Sequence, residues 1–131
     1  MCIFCKIISG EIPSHKVYED EKTLAILDAF PLRAGHTLVI TKKHYSNLSE
    51  ISDDDLKDLI IKVKQVASLL TAKLGFTDYK ISENNGPLAG QSVPHIHFHI
   101  VPQYPGEIIS SPKKFAYQPG EAEEIIKKLQ V

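Results

Sequence analysis

The chain has 131 residues, of which 43% are hydrophobic, enough for one domain with its own core and without a disulfide framework. Fifteen basic and sixteen acidic residues leave a formal net charge of −1 with no Lys/Arg run, which argues against nonspecific binding to nucleic acid or an anionic membrane and leaves room for one small anionic ligand. No apolar run approaches about 18 residues and no charged segment leads into a long apolar one, so the expectation is a cytoplasmic protein without a membrane span.

The two cysteines, Cys2 and Cys5, form a Cys-x-x-Cys pair at the start. Such a pair is a zinc half-site, a redox couple or two buried thiols. A redox couple follows a strand, and no strand sequence precedes Cys2, so that reading is the weaker one. A spacing of three puts both sulfurs on one face of a short helix over Cys2–Ser9, stopped by Gly10. Zinc would need two more ligands, for which His44 and His95 are candidates.

Lys16–Glu19 and Thr23–Asp28 read as a hairpin across the polar turn Asp20-Glu21-Lys22. Phe30–Gly35 breaks the pattern, and His36–Thr41 resumes it as a third strand. The clearest helix spans Asp53–Leu74: Ser52 can cap it, three aspartates complement its positive end, and Gly75 stops it. Leu56, Leu59, Ile60, Val63, Ala67 and Leu70 recur at helical spacing. Tyr79–Asn84 is a fourth strand and Asn85–Ser92 a glycine-containing loop. The fifth strand is His95-Ile96-His97-Phe98-His99-Ile100-Val101, set between Pro94 and Pro102. Beyond it Pro105, Gly106, Pro112, Pro119 and Gly120 interrupt the tail, and Glu121–Leu129 suits a last helix. Five strands with one long helix between the third and fourth make an α+β domain with a mainly antiparallel sheet.

The histidine strand is the chemical signal. Alternation sends His95, His97 and His99 to one face and Ile96, Phe98 and Ile100 to the other. Histidines two apart on a strand lie about 6.6 Å apart at Cα, near enough to bracket one phosphoryl group. Neutral imidazole is nucleophilic at cellular pH, and a second imidazole can supply a proton nearby. A catalytic metal on two of these histidines is the alternative, and would need a third protein ligand and an open position.

The run His95–Val101, preceded by Gly90-Gln91-Ser92-Val93, resembles the signature of the histidine triad (HIT) nucleotide-binding family. Ile3–Ile8 with Glu11-Ile12-Pro13, Leu27-Asp28, Gly35–Ile40 with Lys42-Lys43-His44, and Asn84 also fall where that family has matching elements. The likeness covers about the first hundred residues, which suggests a HIT-like domain over 1–104 and a C-terminal extension over 105–131.

The resemblance implies hydrolysis at the α-phosphorus of purine nucleoside phosphoramidates or related nucleotides, with release of a nucleoside monophosphate. In that scheme His97 attacks phosphorus to give a nucleotidyl-histidine, His95 orients it through its main chain, and His99 and His36 complete the imidazole network. Asn84, Gln91 and Ser92 would contact the phosphate or leaving group. Asp28 would accept from the ribose hydroxyls, while Ile3, Phe4, Ile7 and Ala29 would line the base pocket. No catalytic metal is required. One branch of the family joins the two cysteines to histidines corresponding to His44 and His95 in a structural zinc site. A histidine at position 99 points away from the superfamily's transferase branch, which tends to carry glutamine there; Pro94 stands where many members carry a bulky residue. Members usually pair their sheets into a homodimer. The alternatives are a dinucleoside polyphosphate hydrolase, a nucleotide-binding module without turnover, and an unrelated zinc hydrolase.

Overall fold

The computed structural model describes residues 2–107 and 114–130; the break expected at Pro112 lies outside the described residues. The chain order is α1 (Ile3–Ile8), β1 (Lys16–Glu19), β2 (Thr23–Leu27), β3 (Thr37–Thr41), α2 (Asp53–Leu74), β4 (Asp78–Ser82), β5 (His97–Gln103) and α3 (Glu121–Leu129). The strands form one antiparallel sheet in the order β1-β2-β3-β5-β4. The expected α+β architecture with five strands and one long helix is therefore present.

Alternation along the central strands sorts the core onto two faces. Ala25, Val39 and Ile100 face α2, where Leu59, Val63 and Leu70 are buried against them. At about 1.5–3 kcal/mol for each fully buried large aliphatic side chain, this layer is the main source of stability. On the opposite face Leu24, Ile26, Leu38 and Ile40 pack with Phe4 of α1. His97 pairs with Ile40 and His99 with Leu38, so these histidines occupy the α1 side of the sheet.

The helix ends follow local chemistry. The Ser52 side chain accepts from Asp55 N, and Gly75 closes α2 at φ +79°, a left-handed stop that glycine takes without a Cβ clash. In α1 the Cys2 sulfur accepts from Cys5 N, so Cys2 caps the helix and the first turn begins at Ile3. The helix 121–129 docks through buried Ala122 and Leu129, with Ile125 and Ile126 against the α2-side core.

Strand β5 begins at His97, two residues later than the sequence pattern suggests. His95 N turns back to Val93 O at 2.8 Å, and Ile96 N donates to Tyr45 O at 2.8 Å, so both amides are used outside the ladder. At its other end β5 continues through Pro102 to Gln103. Pairing with β3 ends at Ile100, so the missing N–H of Pro102 costs no bond on that side. Strand β4 runs from Asp78 to Ser82, releasing Asn84 into the following loop.

The turn into β3 is fixed from two sides. Tyr104 Oη donates to Ala34 O at 2.6 Å, and Tyr117 Oη accepts from Gly35 N at 3.0 Å. Gly35 has φ +89°, and a Cβ there would stand 3.0 Å from Leu74 Cδ1. Gly35→Ala is expected to cost about 1–3 kcal/mol from its left-handed backbone alone. Urea unfolding of the variant against wild type checks this; an unchanged midpoint would show that the turn relaxes freely.

Candidate active site and metal cradle

The Cys2, Cys5, His44 and His95 side chains converge although they come from α1, the loop after β3 and the approach to β5. The two sulfurs are 3.2 Å apart and the two Nδ1 atoms 3.2 Å. Cys2 Sγ lies 3.7 Å from His44 Nδ1 and 3.4 Å from His95 Nδ1; Cys5 Sγ lies 3.3 and 3.7 Å from the same atoms. A tetrahedron with Zn–S of about 2.3 Å and Zn–N of about 2.0 Å has edges of about 3.3–3.8 Å. The four S···N edges fall within that range and the S···S and N···N edges lie just below it, so this donor set fits a closed Cys₂His₂ site after a small opening of the two sulfurs.

The outer contacts of the cradle favour the same use. His95 Nε2 is 2.7 Å from Thr41 O. A carbonyl only accepts, so the ring proton is on Nε2 and the Nδ1 lone pair faces the sulfurs. Burial pushes the His95 pKa down, with opposition from the Thr41 contact, and this keeps the ring neutral as a ligand must be.

The same reasoning fixes the other imidazoles. His97 Nδ1 lies 2.7 Å from His95 O, which places its proton on Nδ1 and leaves the Nε2 lone pair unshared. Leu32 N donates to His36 Nδ1 at 3.0 Å, so the His36 proton is on Nε2. That proton is given to His99 Nδ1 at 2.9 Å, which leaves His99 with an N–H at Nε2. Two backbone groups thus determine three tautomers. Asp28, His36 and His99 also cluster closely enough to hold a metal, but the His36–His99 hydrogen bond already uses the two ring nitrogens concerned.

These rings form one wall of a cavity of about 890 Å³. Ile3, Phe4, Ile7, Asp28, Ala29, His36, Asn84, Ser92, His97 and His99 all line it. Phe4 meets the His97 ring edge-on, with centroids 5.0 Å apart. Asp28 serves two purposes: one carboxylate oxygen accepts from Phe30 N at 2.9 Å, and the other lies 3.6 Å from His36 Nε2. Asn84 is placed by a long contact to Gly90 O at 3.5 Å.

Gln91 is not brought to the cavity wall. Its Oε1 accepts from Gly86 N at 2.8 Å and its Nε2 donates to Ser46 O at 2.6 Å, so both ends brace the loop. The cavity is also lined by a segment with no sequence signal: Lys114, Ala116, Tyr117, Gln118, Pro119 and Gly120, followed by Ala122 and Glu123 at the start of α3.

Burial dominates the ionisation of the network. His99 is pushed down to about 3, first by burial and then by His97, His36 and Lys114. His36 is lowered by burial against the opposing pull of Asp28. In the unfolded chain both titrate near about 6.5, so the unfolded state binds protons that the folded state refuses as pH falls below that value. Stability is expected to be full above about pH 6.5 and to decline toward pH 3. His99→Asn should flatten this decline in denaturant titrations at stepped pH; an unaltered slope would show that His99 does not set it.

Residues 9–106 match the HIT domain family. An uncharacterised HIT-like protein of Methanocaldococcus jannaschii is 56% identical over 107 residues, covering 82% of each chain. The adenosine 5′-monophosphoramidase of Schizosaccharomyces pombe is 44% identical over 102 residues, 78% of this chain and 74% of that one. A hypothetical histidine triad nucleotide-binding protein of Sulfolobus tokodaii superposes with a TM-score of 0.91 at 36% identity, over 98% of this chain and 89% of the other. A zinc-bound histidine triad protein of Mycobacterium smegmatis gives 0.84 at 33% identity, over 98% and 93%. Sequence match, sheet topology and the paired histidines of β5 agree, and the chain belongs to the HIT family.

Proposed function

We propose that this protein hydrolyses purine nucleoside phosphoramidates or related nucleotides at the α-phosphorus, with His97 as nucleophile. The observation that carries the reading is the His95 O···His97 Nδ1 bond of 2.7 Å, which commits the ring proton away from the cavity. The relative named adenosine 5′-monophosphoramidase supports the substrate class.

His97 Nε2 adds to phosphorus while the P–N bond to the leaving amine breaks. The phosphoramidate nitrogen, protonated in its reacting form, departs as the neutral amine. His99 Nε2–H donates to a phosphoryl oxygen and stabilises the charge that builds there, a role that needs a donor already in place. Water then attacks phosphorus, the P–Nε2 bond breaks, a proton passes to solvent, and the nucleoside monophosphate leaves. Asp28 takes the ribose hydroxyls, with Ile3, Phe4, Ile7 and Ala29 around the base and Asn84 and Ser92 near the phosphate. Gln91 shapes the loop that carries them.

A dinucleoside polyphosphate hydrolase is the second reading, favoured by the cavity volume of about 890 Å³, near the upper end of the usual range of about 300–1,000 Å³. Both readings share the nucleophile and differ in the leaving group.

His97→Ala should lower turnover of adenosine 5′-phosphoramidate by at least about 10³-fold while leaving the thermal midpoint near that of wild type. Parallel assay of a diadenosine polyphosphate ranks the two readings. A variant that keeps wild-type turnover would remove His97 from the reaction, and wild-type protein inactive on both compounds would leave a binding module.

Structural zinc at Cys2, Cys5, His44 and His95 completes the proposal. The ion would neutralise the two thiolates and tie α1 to the sheet, outside the chemistry. Purified protein should carry about one zinc per chain by elemental analysis, and Cys2→Ser with Cys5→Ser should lose it together with several °C of thermal stability. Metal-free wild type that melts at the same temperature as the loaded protein would refute a structural role.

A further inference from the structure

The cavity has an unbalanced charge. Asp28 and Glu123 each contribute a carboxylate, Glu123 at 2.9 Å from His15 Nε2, while burial keeps His36 and His99 uncharged at neutral pH. A bound phosphate ester would add further negative charge beside them. Among the described residues that line the cavity, Lys114 is the one lysine or arginine. None of the described ion pairs engages it.

Its backbone is anchored on the turn that holds His36. Phe115 N, immediately after it, donates to Pro31 O at 3.0 Å, and Tyr117 Oη accepts from Gly35 N at 3.0 Å. The strap 114–117 is thereby held across Pro31–Gly35, the turn in which Leu32 N sets the His36 tautomer. The Lys114 charge is felt at both His36 and His99.

We propose that Lys114 is the phosphate-binding cation of this cavity, presented by the C-terminal strap to the nonbridging oxygens of a phosphoryl group lying against His97 and His99. The inference rests on the nucleotide reading and extends it to a residue of the strap. Neutral imidazoles supply a nucleophile and a donor, and the ammonium supplies the countercharge that they lack. A loss of this group should therefore discriminate between ligands by charge, leaving the nucleoside part of recognition untouched.

The test is calorimetric binding of AMP and of uncharged adenosine to wild type, Lys114→Met and Lys114→Arg, at low and high salt. A charge-assisted hydrogen bond is worth about 1.5–3 kcal/mol, or about 10- to 150-fold in affinity. Lys114→Met should weaken AMP by that factor and leave adenosine unchanged, Lys114→Arg should recover most of the loss, and the salt dependence of AMP binding should shrink in the methionine variant. Equal weakening of AMP and adenosine would make the strap a mere wall, and undiminished AMP binding would remove Lys114 from the phosphate; either overturns the proposal while the nucleotide reading stands. Wild type that binds neither compound would overturn the nucleotide reading itself, and this proposal with it.

Discussion

One residue, His95, joins the sheet, the cradle and the candidate reacting ring in a single frame. Its Nε2–H is given to Thr41 O at the end of β3, its Nδ1 faces the two sulfurs, and its carbonyl receives the His97 Nδ1–H. A neutral imidazole has one proton to place, so the Thr41 bond turns the His95 lone pair toward the sulfurs, and the His95 carbonyl separately turns the His97 lone pair toward the cavity. The residue is fully buried, which leaves it no water with which to exchange these partners. The lone pair that His97 offers to the cavity is thus a consequence of backbone geometry several bonds away. In the proposed reaction that ring would need no side-chain base beside it.

The two faces of the sheet divide the work. The α2 side is apolar and resembles an ordinary helix-on-sheet core. On the α1 side, His97 and His99 stand in cross-strand register with Ile40 and Leu38. An imidazole among aliphatic neighbours must have its ring nitrogens satisfied, since an unmet buried polar group costs about 1–3 kcal/mol. The His36–His99 hydrogen bond therefore serves folding as well as orientation, and His36 is itself held by a backbone amide. Positions that would otherwise take leucine or isoleucine become usable for histidine because the turn before β3 delivers a partner.

Much of this is legible in the sequence where the signal is local. Ser52, the three aspartates and Gly75 mark α2 at both ends, and its bounds agree with the structure. The alternation of residues 95–101 reveals the histidine row, and the Cys-x-x-Cys spacing reveals half of a possible zinc site. What escapes is whatever depends on partners far along the chain. His95 leaves the ladder because of Tyr45 and Thr41, which no local pattern around Pro94 discloses. Gln91 carries a two-ended amide in a glycine-rich loop, a position equally suited to a ligand contact and to the brace it forms with Gly86 and Ser46. The stretch 114–120 has neither helical nor strand periodicity, so its course along the cavity is decided by the Gly35 amide that Tyr117 accepts and by the Pro31 carbonyl that takes Phe115 N, rather than by its own composition.

The cavity is closed by segments that are neighbours in space and strangers in sequence. Cys2 meets His95 across 93 residues, Gly35 meets Tyr117 across 82, and His15 meets Glu123 across 108. The hairpin β1–β2 and the helix α2 can form from contacts within a few turns of chain, but each of these closures must first overcome the entropy of a long loop. The order of assembly that follows is sheet and long helix first, cavity last. One contact that finishes the cavity, the His15–Glu123 pair, is exposed, and the Gly35–Tyr117 bond is only part-buried. Partial opening should therefore begin at the strap rather than in the sheet, giving a folded body that loses and regains its binding wall without unfolding.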